Sequence, residues 1–445
     1  SAVEAGCRSM SVLSTYAAAY MSRDIANPAL VTRHLLDTLG AWIAGRHSIE
    51  GQEILRSAHG SAVRVKIGMA DEIAREIAIT RLTEVDDIHR ASCTTCGAVI
   101  IPAAFLLAEH IKPDANTFMR AIAHGYEAMI RLGQAVNGPA ILAKGIWPSY
   151  LAAPIGAAVT TSVLLKLDAE RAAHAMAIAI QQISGAVGAH PIGKSARWLI
   201  IGSAARTGID SALMAKEHYQ GDLTLLDGGW MELTHGIRCD PTPFHNLTPI
   251  MQETSLKPWC SAKQSISAID AFRDLLKRDI DLENISKIKI AVPQAYQKMI
   301  SGMPTGRLGR IVNAGWQLGL SAYAPEHMLG LDRDCGASEA LISLLAQKVE
   351  VLCDARLDIA YPKAWPARVT IEMNDGSEHT QNCDNALGDP EHPMSQHALE
   401  EKFAILTQGR AKIISELCAS TLNDQSLARL MHELRQILNL SLIHI

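Results

Sequence analysis

Aromatic side chains are scarce in this chain of 445 residues: Phe, Trp and Tyr together supply 4%, and Phe occurs five times. Sheets draw heavily on aromatic and β-branched residues, whereas Ala, Ile and Leu dominate here, so an all-β fold is excluded and a mainly α class is expected. Long apolar runs are missing as well. None reaches the ~18–20 residues that cross a bilayer, and no basic segment followed by an apolar stretch opens the chain, so a soluble protein with no membrane partner is expected. Basic clusters are also absent, with a net charge of −5 and an isoelectric point near 6.4. Nothing here would attract nucleic acid or an anionic surface, and small solutes are the expected ligands. The nine cysteines are an odd number without framework spacing, which points to reduced thiols in the cytoplasm. No Gly-x-Gly-x-x-Gly or Walker-type loop follows an expected strand, which argues against a nucleotide cofactor.

The chemistry that is present concentrates in residues 83–102, TEVDDIHRASCTTCGAVIIP, between two apolar helical runs. Helical spacing recurs over residues 10–45, 70–82, 100–110, 118–134, 151–167, 168–188 and 199–217. Gly40 and Gly45 in the first of these permit close helix approach or a C-terminal cap. The texture changes near residue 255. Ile285–Val292 alternates like a half-buried strand, and Ala367–Met373, the turn Asn374-Asp375-Gly376 and residues 378–381 read as a hairpin. A helical pattern returns over 395–439, with Ser395 as a candidate N-cap. The expected architecture is mainly α with an α+β domain: helical residues 1–255 and 395–440, and a smaller α/β domain over 256–394.

Several stretches together resemble the MmgE/PrpD family, which includes 2-methylcitrate dehydratase, cis-aconitate decarboxylase and iminodisuccinate epimerase. They are 35–45 (LLDTLGAWIAG), 84–102 (EVDDIH…GAVIIP), 125–127 (GYE), 202–208 (GSAARTG), 256–260 (LKPWC), 368–376 (RVTIEMNDG) and 388–395 (GDPEHPMS). The resemblance implies a large helical domain built from both chain ends, a smaller α/β lid domain, a homodimer, and an interdomain active site without metal or organic cofactor. It also exposes departures. Thr95 and Trp147 stand where decarboxylase and dehydratase members carry histidines, and Arg197 stands for a lysine. Lys257 is kept, and Glu84 occupies a position that is acidic and near substrate in lyase members.

The reactions of that family share proton removal next to a carboxylate, which calls for a base of moderate pKa and cations on the substrate's carboxylates. Asp86, Asp87 and His89 are the candidate bases; Arg90, Lys194, Arg197, Lys257 and Lys263 are the candidate cations. Thr94 and Thr95 could donate to a carboxylate, and His190 sits in a glycine-flanked loop that could enter the cleft. Each has a plainer reading. His89 could serve structure alone, one aspartate could cap a turn, Glu84 could be solvated, and Arg197 could stack on Trp147 or Trp198. Cys93-Thr94-Thr95-Cys96 has redox or zinc spacing, but no second close cysteine pair accompanies it. The expected function is a cofactor-independent lyase, a dehydratase or decarboxylase of a small di- or tricarboxylate. The alternatives are an epimerase or isomerase using the same carbanion, and a catalytically silent carboxylate binder.

Overall fold

A computed structural model of the chain describes residues 10–59, 67–183, 195–332 and 334–443. It is mainly helical with two small sheets. Two apolar clusters organise it. The larger runs from Val12 to Leu256 and resumes at Met394, ending at Leu438. The smaller runs from Trp259 to Ala386 and takes in Ile88 and Cys93 from the loop that precedes the helix Gly97–Ile111.

The apolar stretch 10–45 forms two helices rather than one, Val12–Ser22 and Pro28–His47. Pro28 occupies the first turn of the second, and the side chain of Asn27 caps it by accepting from Leu30 N at 3.1 Å, so the chain must restart there. Gly45 lies inside that helix and does not cap it: a Cβ there would sit 2.2 Å from the carbonyl oxygen of Ile79. The glycine lets this helix touch the helix Met69–Arg81. Asp114 and Asp168 cap the helices Ala115–Ala135 and Ala169–Gln181. The end of the expected 168–188 helix lies partly outside the described residues.

The C-terminal return consists of three helices, Gln396–Leu406, Lys412–Leu417 and Asp424–Ile443. Ser395 caps the first, accepting from Ala398 N at 3.0 Å. Phe403 from this helix packs against Gly40, which joins the two ends of the chain in one core.

Strand β1 (Ile88–His89) pairs antiparallel with β2 (Thr254–Ser255). Strands β3 (Ile285–Val292), β4 (Val349–Cys353), β5 (Ala367–Met373) and β6 (Glu378–Cys383) form a second sheet in the order β4-β3-β5-β6, with β3 and β4 parallel. β3 and the β5–β6 hairpin lie where the alternation places them, with Gly376 at φ +85° in the turn. β4 is an edge strand in which half-buried Val349 and Val351 alternate with exposed Glu350 and Leu352, a pattern too short to signal a strand by itself. The β1–β2 pair matters most for the site, because its register sets Ile88 beside Ser255 and so brings residues 83–97 against the segment that carries Lys257. Among the described residues no helix is long and apolar enough to cross a membrane.

Candidate active site

Between the two clusters lies a small cavity of about 30 Å³. Arg81, Glu84, Thr95, Trp147, Ser149, Arg197, Lys257, Lys263 and Gln264 bring polar or amphipathic groups to its wall, and Ile88, Leu142, Met299, Val312 and Trp365 are among the apolar residues that close it. Six residues expected at the site therefore converge here: Glu84, Thr95, Trp147, Arg197, Lys257 and Lys263.

Glu84 is the centre of the polar side. It follows the C-terminal end of Met69–Arg81 and adopts φ +56°, a left-handed conformation uncommon for a side chain with a Cβ. That turn sends its carboxylate back between two guanidinium groups. Arg81 Nη1 lies 3.0 Å from one oxygen, and Arg197 Nη2 pairs with the other. Burial acts to raise the Glu84 pKa, but Arg81, Arg197 and Lys257 outweigh it and hold the carboxyl well below the usual range. Glu84 is thus a fixed anion that orients cations.

Lys257 is 2% exposed and donates to the backbone carbonyl of Glu84 at 3.3 Å. Burial lowers its pKa, against the opposing charges of Asp86 and Glu84. An ammonium with weakened hold on its proton is suited to proton transfer. Arg197 opens the helix Ala196–Lys216 and stacks over Trp147, with its guanidinium carbon 4.9 Å from the ring centroid, and over Trp198 at 5.4 Å. The stacking and the Glu84 pair are both real, so the plain reading of this arginine describes part of its environment. Its Nε and Nη1 are nevertheless buried with no hydrogen-bond partner among the described residues. Thr95 completes the wall through Ser149, whose Oγ accepts from Thr95 N at 2.9 Å and lies 2.8 Å from Thr95 Oγ1.

The other expected residues are placed elsewhere. Asp87 is fully engaged behind the loop: Oδ1 accepts from Gly97 N at 2.9 Å, and Oδ2 meets His34 Nδ1 at 2.7 Å and the Tyr126 hydroxyl at 2.5 Å. It holds the start of the helix Gly97–Ile111, which is a capping role reached through space. Asp86 does not line the cavity. Its Oδ1 pairs with Arg81 at 3.1 Å, its Oδ2 is buried without a partner among the described residues, and burial raises its pKa to about 6 despite Arg81 and Lys257.

His89 also stays off the cavity wall, in a bridge with Thr94. Its Nδ1 accepts from Ser92 N at 3.2 Å, and Nε2 faces Glu253 at 3.3 Å. Burial lowers its pKa, against Glu253. Both nitrogens are thus committed, and the base role suggested by its neighbours in sequence has no geometric support. Thr94 Oγ1 is likewise taken up by Ser92, at 2.6 Å. Arg90 turns away to Glu391 and Asp389. Lys263 reaches the cavity but pairs with buried Asp389 at 2.7 Å. His190 and Lys194 lie outside the described residues.

Arg81, Ser149 and Gln264 were not indicated by the sequence. An arginine ending an amphipathic helix reads as a partner for the helix dipole, so Arg81 gives no local signal. Tyr150 was missed too. Its hydroxyl is buried without a partner among the described residues, and burial pushes its pKa up to about 12 in spite of Arg81 and Arg197.

Burial raises the pKa of Cys93 to about 12 and that of Cys96 well above the usual thiol value. Their sulfurs face different backbone carbonyls, of Arg90 and Tyr126. Among the described residues no group of three His, Cys, Asp or Glu side chains is arranged to hold a metal ion.

Comparison with known proteins agrees with this layout. Residues 11–235 match the MmgE/PrpD N-terminal domain, and residues 259–422 match the MmgE/PrpD C-terminal domain. The chain is 24% identical over 391 residues to cis-aconitate decarboxylase of Aspergillus terreus, covering 79% of this chain and 78% of that protein. It is 31% identical over 160 residues to the cis-aconitate decarboxylase-like protein oryM of Aspergillus oryzae, covering 34% and 33%.

Proposed function

The chain belongs to the MmgE/PrpD family, and from that premise we propose that it is a lyase that decarboxylates a small tricarboxylate in the cavity around Glu84 and Lys257. The observation that carries this reading is an imbalance of charge. Arg81, Arg197, Lys257 and Lys263 line the cavity with Glu84, and the buried carboxylates of Asp86 and Asp389 behind the wall pair with Arg81 and Lys263, so four cations face three acids. Such a wall suits a polyanion.

Decarboxylation breaks a carbon–carbon bond and leaves its electron pair in the neighbouring carboxylate-bearing unit. One proton must then be delivered to carbon as neutral carbon dioxide departs. Lys257, acidified by burial, supplies that proton and recovers one from solvent. Arg197 directs its unpartnered donors at a substrate carboxylate and stabilises charge that develops there. Glu84 holds both cations in place without itself exchanging a proton.

Dehydration makes a further demand, an acid for the departing hydroxide. The described cavity wall contains no histidine, so decarboxylation is the better fit. The same feature favours one second reading: an epimerase also needs only proton exchange at carbon. A homodimer in the cytoplasm, and domains at 1–255 with 395–440 and at 256–394, belong to the same proposal and rest on the family likeness.

The test is incubation of the full chain in deuterated buffer with a panel of di- and tricarboxylates, read by NMR and mass spectrometry. A product that has lost one carboxylate and gained deuterium on carbon is expected. Epimerised substrate would replace the first reading by the second. Ligand-induced thermal stabilisation without exchange would overturn both in favour of a silent binder.

A further inference from the structure

A second polar pocket shares no lining residue with the cavity around Glu84. Its volume of about 70 Å³ has room for about five water-sized units, too little for a tricarboxylate. The helices Val12–Ser22 and Ala115–Ala135 supply its floor, residues 23–26 its rim, and Leu247 and Pro249 a third side. Exposed Arg23, Asp24 and Ala26 mark where it meets solvent.

Two donors on the floor are unused. Tyr16 is 2% exposed and Arg131 1% exposed, and the Tyr16 hydroxyl and Arg131 Nε are buried with no hydrogen-bond partner among the described residues. The guanidinium carbon of Arg131 lies 5.7 Å from the centroid of the Tyr16 ring. The charges that act on the Tyr16 hydroxyl are those of Arg131, Glu127 and Arg23, all in the pocket wall, so the hydroxyl lies at the polar end. The other donors of Arg131 are taken: Nη1 meets Glu127 at 3.3 Å, and Nη2 the carbonyls of Asn246 and Thr248 at 3.1 Å each. Glu127 is occupied in turn, by that arginine and by Ile250 N at 3.2 Å. His124 faces the carbonyl of Arg23 at 3.2 Å, and the Tyr20 hydroxyl is turned toward Ser162.

A guanidinium donates and cannot accept, so whatever fills the space between Tyr16 and Arg131 must be an acceptor. The charges around it narrow the choice. Arg23, Arg120 and Arg131 all act on His124. Arg23 and Arg120 donate to backbone carbonyls, of Leu247 and of Arg23, Tyr20 and Met21, and neither forms an ion pair among the described residues. Against these three cations stand Glu127 and, at the exposed rim, Asp24, which accepts from Ile25 N. Water would satisfy the two donors and leave the excess positive charge; a small anion answers both.

We propose that this pocket binds a small oxyanion of three to five heavy atoms, such as formate, acetate or nitrate, between the Tyr16 hydroxyl and Arg131 Nε. The site is independent of the reaction proposed at Glu84 and Lys257.

The experiment follows the NMR line width of isotopically labelled acetate with the full chain. Broadening by the wild type, relieved by excess nitrate and not abolished by citrate, is expected. Tyr16→Phe should weaken acetate binding at least ~10-fold and should melt, without ligand, no lower than the wild type, because the hydroxyl it removes has no partner among the described residues. Absence of broadening would mean that the pocket holds water alone and would overturn the proposal. Equal broadening by Tyr16→Phe, or its complete removal by citrate, would place the ion elsewhere and overturn it too. A lower melting temperature of ligand-free Tyr16→Phe would show that the hydroxyl is bonded within the protein, with the same consequence.

Discussion

Replacing Asp86 by Asn should stabilise the protein in a pH-dependent way. Asp86 is fully buried, one oxygen has no partner among the described residues, and burial raises its pKa from 3.8 to about 6. A carboxyl whose pKa is raised on folding contributes stability below its unfolded value and loses it as pH rises through the folded one. At about 1.4 kcal/mol for each tenfold change in proton affinity, the full loss is about 3 kcal/mol, of which about 1.4 kcal/mol falls between about pH 5 and about pH 8. An amide in place of the carboxyl would keep an acceptor for Arg81 without the titration. Urea unfolding of both proteins, followed by tryptophan fluorescence, gives the difference in stability at each pH and cancels groups common to both. That difference should move in favour of Asp86→Asn by about 1.4 kcal/mol across the window. A difference that stays flat, or that moves in favour of the wild type, would mean that the Arg81 pair keeps Asp86 ionised, and the argument would fail.

Three other perturbations probe the surroundings. Lys257→Met should lower turnover at least ~10²-fold, whereas His89→Gln should lower it less than about tenfold because that ring is tied to Ser92 and Glu253; equal losses in the two variants would contradict the placement of the proton donor. Arg307, from the helix Gly306–Val312, donates to Leu82 O at 3.0 Å, pairs with Glu50 and lies over Trp198. Its replacement by Ala should remove about 1–3 kcal/mol of stability and speed amide exchange around residues 82–86, and unchanged exchange there would show that this contact does not hold the loop. Among the described cysteines, alkylation of native protein should modify exposed Cys353 first and leave Cys93 and Cys96 unreacted until unfolding, given their burial and raised pKa values; early modification of either would reopen a redox role.

How much of this was legible beforehand depends on whether a residue's partners are near in sequence. β3 and the β5–β6 hairpin announce themselves through alternation and an Asn-Asp-Gly turn, and Ser395 through its place before a helix. Glu84 and Lys257 were singled out through the family resemblance, and the structure brings both to the cavity wall. The errors share one cause. Asp87 caps a helix that begins ten positions later and also receives His34 and Tyr126 from two other helices, so its adjacency to His89 in sequence says nothing about shared chemistry. His89 and Thr94 look like site residues until a local bridge occupies them. Arg197 could be read as a binder or as a stacked structural residue; the structure shows the stacking and leaves the binding role open to test, because the Trp147 ring and Glu84 fix one part of the guanidinium and the rest has no hydrogen-bond partner among the described residues.

The decisive contact is also the least visible. A sheet of two residues per strand aligns Ile88 with Ser255, and without that register Lys257 would not lie against the carbonyl of Glu84. Changes that disturb β1–β2 should therefore impair turnover even when every residue lining the cavity is intact.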